Sequence, residues 1–289
     1  MPDLTPTSHS YFSQRLRLHY LDWGNVTAPH MLLVHGVQDH CHSWDWFAAA
    51  FAGDHHVLAP DLRGHGDSEW VRGSSYHHVD YLYDIDQLIR QRELAPLILV
   101  SHSMGGTLAS LYAGVFPDAV AALVVIEGVG LWPGWSGGGV GAHQRIGDWI
   151  ANTRQLAGRV PRRYPDWDEA YRRMQQANGH LSPEQIRHLT QHGSHRNEDG
   201  SFSWKYDNYT HAWPAYRIPE ADLIELWQRI TCPVLLINGT EGYPHRIGQD
   251  GTLAHFRDAR VIDLPGAGHW VHHDRFDAVV AAVREFLAP

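Results

Sequence analysis

The stretch that decides the fold is Leu-Ile-Leu-Val-Ser-His-Ser-Met-Gly-Gly, residues 97–106. A short apolar run ends at Val100, a serine follows at position 103, and residues 107–116 have the composition of a helix. A strand that turns sharply into a helix through one serine exposes the serine hydroxyl at the edge of a sheet. The pattern predicts that Ser103 is a nucleophile and that the N–H of Met104 points at the negative charge developing on a substrate oxygen.

Such a turn needs small residues two positions before and two positions after the serine, because larger side chains there would collide with neighbouring backbone. Gly105 meets this requirement, whereas Ser101 replaces the glycine that is usual at the earlier position. Taken alone, the stretch also fits a buried strand followed by a helix that a serine caps. The rest of the chain decides between these two interpretations.

Length and composition suit one α/β domain that carries an insertion, since the chain has 289 residues of which 43% are hydrophobic. No apolar run reaches about 18 residues, so no transmembrane helix is predicted. Residues 1–10 are polar and contain two prolines, which argues against a secretory signal. The formal charge of −9 comes without basic clusters, so we expect neither nucleic acid nor an anionic membrane as a partner.

Cysteine and histidine give no recognisable metal site. The two cysteines, Cys41 and Cys232, have no CxxC context and indicate the reducing cytoplasm rather than a disulfide scaffold. The 23 histidines include adjacent pairs, but neighbours on a strand face opposite ways and do not converge on one ion. No His-Glu-x-x-His spacing accompanies them. We therefore expect most of these histidines to be surface or hydrogen-bonding groups and predict no metal and no cofactor.

Strands and helices alternate in the first part of the chain, which is typical of a parallel sheet wrapped by helices. Strands are predicted at 15–21, 31–34, 56–59, 97–100 and 120–126, and helices at 43–52 and 79–93. The sheet pattern resumes at 233–237 and 260–264, before a C-terminal helix at 275–287.

The middle of the chain differs in composition from both ends. Residues 132–139, Trp-Pro-Gly-Trp-Ser-Gly-Gly-Gly, interrupt regular structure, and seven of the twelve tryptophans lie between residues 131 and 229. Helices are predicted near 143–157, 166–177 and 183–192, and an extended segment at 201–207. We therefore predict a core α/β domain formed by residues 1–130 and 230–289, with a mainly helical cap at 131–229 inserted between them.

Tryptophans above a reactive serine favour an apolar pocket for a bulky or aromatic group. Trp132 and Trp135, at the start of the cap, are the candidates for substrate binding, together with His102 beside the nucleophile. Attachment of the cap to the core explains a tryptophan-rich segment equally well, and both interpretations stay open here.

Two further segments agree with a serine nucleophile. Leu-Leu-Val-His-Gly-Val, residues 32–37, is a strand that ends in His-Gly, and a loop at this point supplies a second oxyanion N–H, which we assign to Val37. Gly-Ala-Gly-His-Trp, residues 266–270, follows another strand, from which His269 can reach over the sheet toward Ser103. Imidazole titrates near neutrality, so this histidine can accept the serine proton and return it later.

A turn-rich segment, residues 60–68, separates these motifs and is interpreted as structural. Its Asp61 and Arg63 are predicted to form a buried pair that orders the loop. A catalytic role is not expected for Asp67.

Together, residues 31–37, 60–68, 96–106 and 265–270 resemble the ordered motifs of the α/β-hydrolase superfamily. The resemblance covers both ends of the core and leaves the cap unmatched. It implies an α/β fold with a mostly parallel central sheet flanked by helices, and it matches Ser103 and His269 to the family's nucleophile and base. The serine separates the chain from haloalkane dehalogenases and epoxide hydrolases, which place aspartate there, and indicates a serine esterase-like branch with a helical cap.

The acid of the triad is where the chain departs from the family pattern. The family's commonest position, an aspartate shortly after the strand at 233–237, falls here on Gly242, which has no side chain. Glu241 lies one residue earlier. Another branch of the superfamily carries the carboxylate after the strand that follows the elbow helix, and Glu127 occupies that position. We favour Glu127 over Glu241 as the catalytic acid, because a strand end in the sheet centre holds a side chain rigidly.

These observations predict a serine hydrolase that cleaves a small carboxylic ester or lactone through an acyl-enzyme on Ser103, without a cofactor. C–C bond hydrolysis, perhydrolysis and lyase chemistry on the same scaffold are alternatives. A receptor that binds its ligand without turnover is another, favoured by the missing aspartate at Gly242. The physiological substrate and the oligomeric state are left open.

Overall fold

A computed structural model of the chain describes residues 5–73, 76–130, 140–212, 214–243 and 247–288. The strands in these ranges are β1 (Thr7–Ser13), β2 (Leu16–Asp22), β3 (His30–Val34), β4 (His56–Pro60), β5 (Leu97–His102), β6 (Val120–Ile126), β7 (Ser194–Arg196), β8 (Phe202–Trp204), β9 (Val234–Gly239) and β10 (Ala259–Leu264). One eight-stranded sheet has the order β1-β2-β4-β3-β5-β6-β9-β10. The pairs β1–β2 and β2–β4 are antiparallel and the other neighbours are parallel, which confirms the predicted fold class.

Helices cover both faces of this sheet. In chain order they are α1 (Asp45–Phe51), α2 (His78–Gln91), α3 (Met104–Val115), α4 (Ala142–Ala157), α5 (Trp167–Ala177), α6 (Pro183–Gly193), α7 (Glu220–Arg229), α8 (Val271–Asp274) and α9 (Phe276–Leu287). Buried residues of α2, α3 and α7 pack on one face of the sheet, and those of α1 and α9 pack on the other. Within the described ranges, none of these helices combines the length and the hydropathy that crossing a membrane requires.

The central strands are buried along nearly their whole length. Every residue of β4, β5 and β9 is buried, as are all but one of the residues of β6. Helices on both faces explain why these strands are continuous apolar runs in the sequence. The edge strand β1 has no counterpart among the predicted strands, because it is buried only at Tyr11 and Ser13 and its other residues, polar except for Phe12, are exposed.

The segment between β6 and α7 corresponds to the predicted cap. It contains α4, α5, α6 and the short antiparallel hairpin β7–β8. The start of α6 is fixed by a capping box, in which the Ser182 hydroxyl accepts from the N–H of Gln185 and the Gln185 side chain accepts from the N–H of Ser182. Trp132, Trp135 and Trp213, which belong to the same part of the sequence, lie outside the described residues.

Helix α7, which the sequence analysis placed in the cap, packs on the core instead. Trp227 is 2% exposed within the same core cluster as α3, and its indole N–H donates to the Ser110 hydroxyl at 3.3 Å. The guanidinium of Arg229 donates to the carbonyl of Gly114 at 3.1 Å. On this packing we propose that the cap ends before α7, near residue 219, rather than at residue 229.

The cap is attached to the core by hydrogen bonds along one side. The Tyr76 hydroxyl donates to the Asp207 carboxylate at 2.7 Å, and the N–H of Asp207 donates to the carbonyl of Gly64 at 2.9 Å. From α6, the Gln185 side chain donates to the carbonyl of His273 at 3.2 Å. These contacts hold the cap over the carboxyl edge of the parallel strands.

The loop at 60–68 is structural as predicted, but its ion pairs differ from the expected one. Asp61 pairs with His19 at 2.7 Å and also accepts from the N–H of Cys41, while Arg63 forms a two-pronged pair with Asp84 at 2.5 and 2.7 Å. The prediction of a direct Asp61–Arg63 pair is therefore wrong. Each side chain instead ties the loop to a different element of the fold. The sequence of the loop does not itself reveal these distant partners.

Helices α3 and α7 approach each other closely at Gly114, and a substitution there tests how they pack. A Cβ atom at Gly114 would lie 2.3 Å from the carbonyl oxygen of Leu226, whereas a Cβ at Gly147, in exposed α4, would meet nothing within 4 Å. We expect Gly114→Ala to lower the free energy of unfolding by about 1–3 kcal/mol, because α7 is forced away from α3. Gly147→Ala is the matched control and should raise it by up to about 1 kcal/mol. Urea unfolding measures both, and equal stability of the two variants would contradict the packing.

Candidate active site

Ser103 lies at the turn from β5 to α3 with backbone angles φ 53° and ψ −124°. A non-glycine residue with positive φ is strained and persists only where its surroundings hold it. Here the N–H of Ser103 donates to the carbonyl of Ile126 at 2.9 Å, and its carbonyl accepts from the N–H groups of Gly106 and Thr107. The turn is thereby fixed from both the neighbouring strand and the following helix.

Close backbone contacts explain the small residues around the turn. A Cβ at Gly105 would lie 2.3 Å from the carbonyl oxygen of Val34, so no larger residue fits there. Ser101, at the other small position, donates its hydroxyl to the carbonyl of Val124 at 2.9 Å. The serine that replaces the usual glycine is thus accommodated by a hydrogen bond to β6.

The loop after β3 passes directly beside the nucleophile. A Cβ at Gly36 would lie 3.0 Å from the Cβ of Ser103. Val37, the next residue, is 36% exposed, and Met104 is the first residue of α3. Met104 directly follows Ser103 in the chain, and Val37 follows Gly36, which approaches Ser103. The backbones of both predicted oxyanion donors therefore lie beside the nucleophile turn.

Glu127 and His269 are brought together at the edge of the sheet. Oε2 of Glu127 is 3.5 Å from Nδ1 of His269, with the carboxylate side chain 2% and the imidazole 25% exposed. The same carboxylate accepts from the N–H of Gly239 at 2.7 Å and from the N–H of Tyr243 at 3.1 Å. Contacts of this length are common in unliganded active sites and shorten when substrate binds.

The carboxylate of Glu127 occupies the space that a side chain at position 242 would fill. A Cβ at Gly242 would lie 2.4 Å from Oε2 of Glu127 and 2.6 Å from its Cδ. Glu241 is exposed, and its N–H donates to the carbonyl of Ala267 at 2.8 Å. Of the two acids weighed from the sequence, Glu127 is the one whose carboxylate lies beside the imidazole.

His102 has a different place from the predicted one. It is 1% exposed, and its Nε2–H donates to the carbonyl of His269 at 2.8 Å. Its buried side chain is not among those that line the cavity described below, so the prediction that His102 binds substrate gains no support and stays a prediction. Its observed contact instead holds the backbone of His269 at the nucleophile turn.

Buried histidines surround this contact. The ring of His272 lies 4.6 Å from that of His102, and both of its nitrogens are buried without a hydrogen-bond partner among the described residues. Burial lowers the pKa of both imidazoles well below the usual value. Burial also raises the pKa of the nearby Asp39 carboxyl to about 7. The buried part of the site therefore contains imidazoles that remain uncharged.

A cavity of about 480 Å³ lies between the loop after β3 and the cap. Val37, Asp39 and Trp270 line it from the core, and Trp204 and Tyr206 line it from the segment predicted to be extended. Three cationic residues complete the wall on the cap side: Arg162, Arg173 and Lys205. Two of the lining residues, Val37 and Trp270, adjoin Gly36 and His269 in sequence, so the cavity borders the two loops that approach the nucleophile turn.

A family model described as the alpha/beta hydrolase family matches residues 31–282. The chain belongs to this family. The match extends from β3 to α9, and the sheet accordingly contains strands from both ends of the chain.

Curated relatives of this α/β hydrolase include enzymes that act on esters. It is 30% identical to the mouse (Mus musculus) sn-1-specific diacylglycerol lipase ABHD11, over 99% of this chain and 87% of the relative. It is 26% identical to Esterase Rv0045c of Mycobacterium tuberculosis, over 92% of this chain and 85% of the relative. The crystal structure of the hypothetical protein PA1622 from Pseudomonas aeruginosa PAO1 matches with a TM-score of 0.86 and 24% identity, covering 98% and 99% of the two chains, and supports the fold alone.

The sequence analysis did not identify two residues of the site. Tyr243 places its ring 4.3 Å from that of His269 and its N–H on Glu127, and Asp39 lies buried beneath the cavity. Neither belongs to a motif, and the contact of Tyr243 is made partly by its backbone. Only the fold of the hydrolase brings them to the site.

Buried neutral histidines make the stability of this α/β hydrolase depend on pH. Burial lowers the pKa of His65 and His273 to about 3 and of His78 to about 4, and it also lowers the pKa of His102 and His272 well below the usual value. Between about pH 4 and 6.5 the unfolded chain binds protons at these positions that the folded chain does not bind. The free energy of unfolding should therefore fall as pH falls below 6.5, by up to about 1.4 kcal/mol per pH unit for each group.

Urea unfolding at pH 7, 6 and 5 measures this dependence. The raised pKa values of Asp39, Asp84 and His188 act in the opposite direction, since the folded state keeps those protons to higher pH, but the histidines with lowered pKa values outnumber them. His273→Gln should flatten the profile, whereas the control His143→Gln, at an exposed position, should leave it unchanged. Stability that is constant or rises on acidification would contradict the structure.

Proposed function

We propose that this α/β hydrolase is a serine hydrolase that cleaves carboxylic esters or lactones with Ser103, His269 and Glu127 as its catalytic triad. One observation carries the proposal: the buried Glu127 carboxylate lies 3.5 Å from Nδ1 of His269 and fills the space beside Gly242. A carboxylate, an imidazole and an elbow serine at one sheet edge are the groups that acyl transfer requires.

Glu127 orients the base. Two backbone N–H groups, those of Gly239 and Tyr243, hold its carboxylate, which accepts the Nδ1 proton of His269. The tautomer that this contact selects leaves Nε2 unprotonated and ready to accept a proton from Ser103. The carboxylate then stabilises the imidazolium that forms during the reaction.

The reaction proceeds in two halves. As Oγ of Ser103 bonds to the ester carbonyl carbon, its proton passes to Nε2 of His269, and the carbonyl oxygen takes up negative charge near the N–H groups of Val37 and Met104. His269 then donates this proton to the alkoxide oxygen, the carbon–oxygen bond breaks, and an acyl group remains on Ser103. A water molecule, deprotonated by His269, attacks the acyl carbon, the bond from this carbon to Oγ breaks as His269 returns the proton to Oγ, and the acid leaves with Ser103 restored.

Substrate choice is set by the cavity below the cap. Its volume of about 480 Å³ and the aromatic side chains of Trp204, Tyr206 and Trp270 suit an ester with a bulky or aromatic group. Curated relatives named as an esterase and a diacylglycerol lipase support an ester as the substrate. The receptor alternative loses its motivation, because the acid missing at Gly242 is supplied from β6.

Compartment and partners follow from simpler observations. Cys41 and Cys232 are both buried and free, as expected of a protein from the reducing cytoplasm. We propose a cytoplasmic enzyme whose partner is a small-molecule ester.

Replacement of the acid tests the triad. We expect Glu127→Gln to lower kcat by roughly 100- to 10,000-fold, because the base loses both its orientation and the stabilisation of its charge. The matched control, Glu241→Gln, alters an exposed acid on the neighbouring turn and should change kcat less than twofold. Steady-state hydrolysis of p-nitrophenyl esters measures both. Near-normal turnover of Glu127→Gln would overturn the assignment of the acid.

Moving the carboxylate from position 127 to position 242 tests whether its location beside His269 is what catalysis requires. Glu127 has φ 49°, which glycine adopts without strain, and Gly242 does not have a positive φ. Glu127→Gly should be nearly inactive, and the added change Gly242→Asp should restore part of kcat, because the new side chain enters the vacated space beside His269. Gly242→Asp alone collides with Glu127 and should impair the enzyme. If kcat of the double variant is no higher than that of Glu127→Gly, a carboxylate at position 242 does not replace the one at position 127.

A fluorophosphonate probe distinguishes a hydrolase from a binding protein. We expect covalent labelling of the folded wild-type chain at Ser103, loss of labelling in Ser103→Ala, and rapid release of p-nitrophenol from short esters. Mass spectrometry of the labelled peptide identifies the modified serine. A folded wild-type chain that is neither labelled nor active on esters would exclude the proposed function.

A further inference from the structure

Four metal-ligating side chains meet where the cap touches the core, and we call them the His–Asp cluster: His42, Asp45, His188 and His192. His42 lies in the 3-10 turn Cys41–Trp44, three residues before Asp45, which is the first residue of α1, and His188 and His192 are four residues apart on α6. Residues at these spacings lie on one face of a helix. Two helix faces, one from the core and one from the cap, thus present their ligands to each other.

The ligand atoms are already close. Oδ2 of Asp45 is 2.9 Å from Nδ1 of His42 and 3.1 Å from Nε2 of His188. The ring of His192 lies 3.8 Å from that of His42 and 4.6 Å from that of His188. One ligand atom of each residue lies within 4.8 Å of the other three.

A bound ion requires only a small contraction of this cluster. Bonds of about 2.0–2.2 Å in a tetrahedral site place the ligand atoms roughly 3.3–3.6 Å apart. We infer that the His192 ring, which is stacked on that of His42, turns to adjust its nitrogen to the ion. Within the described chain His192 makes no hydrogen bond, so this rotation breaks none.

We propose that the His–Asp cluster is a binding site for a divalent transition-metal ion, with Zn²⁺ as the natural candidate. Three imidazole nitrogens and one carboxylate oxygen are ligands that Zn²⁺, Co²⁺, Ni²⁺ and Cu²⁺ prefer, whereas Mg²⁺ and Ca²⁺ prefer oxygen ligands. All four residues are partly exposed, which leaves a path for the ion from solvent. The sequence analysis expects no metal, and this site departs from that expectation.

The position of the cluster determines what the ion does. A metal bound by α1 and α6 together joins the core to the cap, and it stabilises the folded state because the unfolded chain offers no such arrangement. Neither Ser103, His269 nor Glu127 belongs to the cluster, so the metal-free enzyme keeps its catalytic groups. The inference therefore stands independently of the proposed function.

The test uses the full chain, freed of metal with a chelator and titrated with Zn²⁺ and with Co²⁺. We expect one ion per chain by calorimetry, a higher thermal midpoint with Zn²⁺, and the visible absorption of four-coordinate Co²⁺. His192→Gln and Asp45→Asn should weaken binding by more than the roughly 10- to 100-fold that loss of an outer-shell partner costs. Circular dichroism and the thermal midpoint without metal show that each variant is folded.

The control variant is His195→Gln, an exposed histidine of the same cap just beyond α6. It should bind Zn²⁺ as the wild type does, which separates the cluster from the many other histidines of the chain. Unchanged affinity in both His192→Gln and Asp45→Asn would overturn the proposal. Equal loss in the control, or no binding by the wild type, would overturn it as well. Absence of esterase activity would bear only on the proposed function.

Discussion

Steric crowding around one turn is the constraint on which the rest of the site depends. The strand–helix turn at Ser103 lies so close to β3 and β6 that Gly105 and Gly128 have no room for a Cβ, which would lie 2.3 Å from the carbonyl of Val34 and 2.5 Å from that of Ser103 itself. Close approach of backbone to backbone fixes the strained φ of the serine. The same approach places the ends of three parallel strands within reach of one hydroxyl.

The proposed acid follows β6 rather than standing at the family's commonest position after β9. Glu127 follows β6, two strands away from β10, whose following loop carries His269, and its carboxylate crosses β9 to lie beside Gly242. A glycine at that position is thus complementary to the glutamate rather than a defect. A glycine at position 242 and a glutamate at position 127 together put a carboxylate in the space that a side chain at position 242 would otherwise occupy.

The sequence predicted best where a motif is local. The apolar runs of β5 and β6 and the elbow at residues 101–105 are each encoded within a few residues, so their positions follow from periodicity and sterics. Pairings across long separations did not follow: Arg63 with Asp84, His102 with the backbone of His269, and the four ligands of the His–Asp cluster. Each of these depends on which elements the fold brings together, and α7 shows the same limit, since its apolar face does not reveal which partner covers it.

The loop after β9 holds the Glu127 carboxylate through the main-chain N–H groups of Gly239 and Tyr243 and contributes no catalytic side chain of its own. Main-chain donors are present whatever residue occupies the position, proline excepted. The backbone anchorage of the Glu127 carboxylate therefore does not depend on the side chain of Tyr243, whereas any side chain at Gly242 would collide with that carboxylate. A family member built this way can reshape the rim of its active site at this loop and leave the chemistry intact.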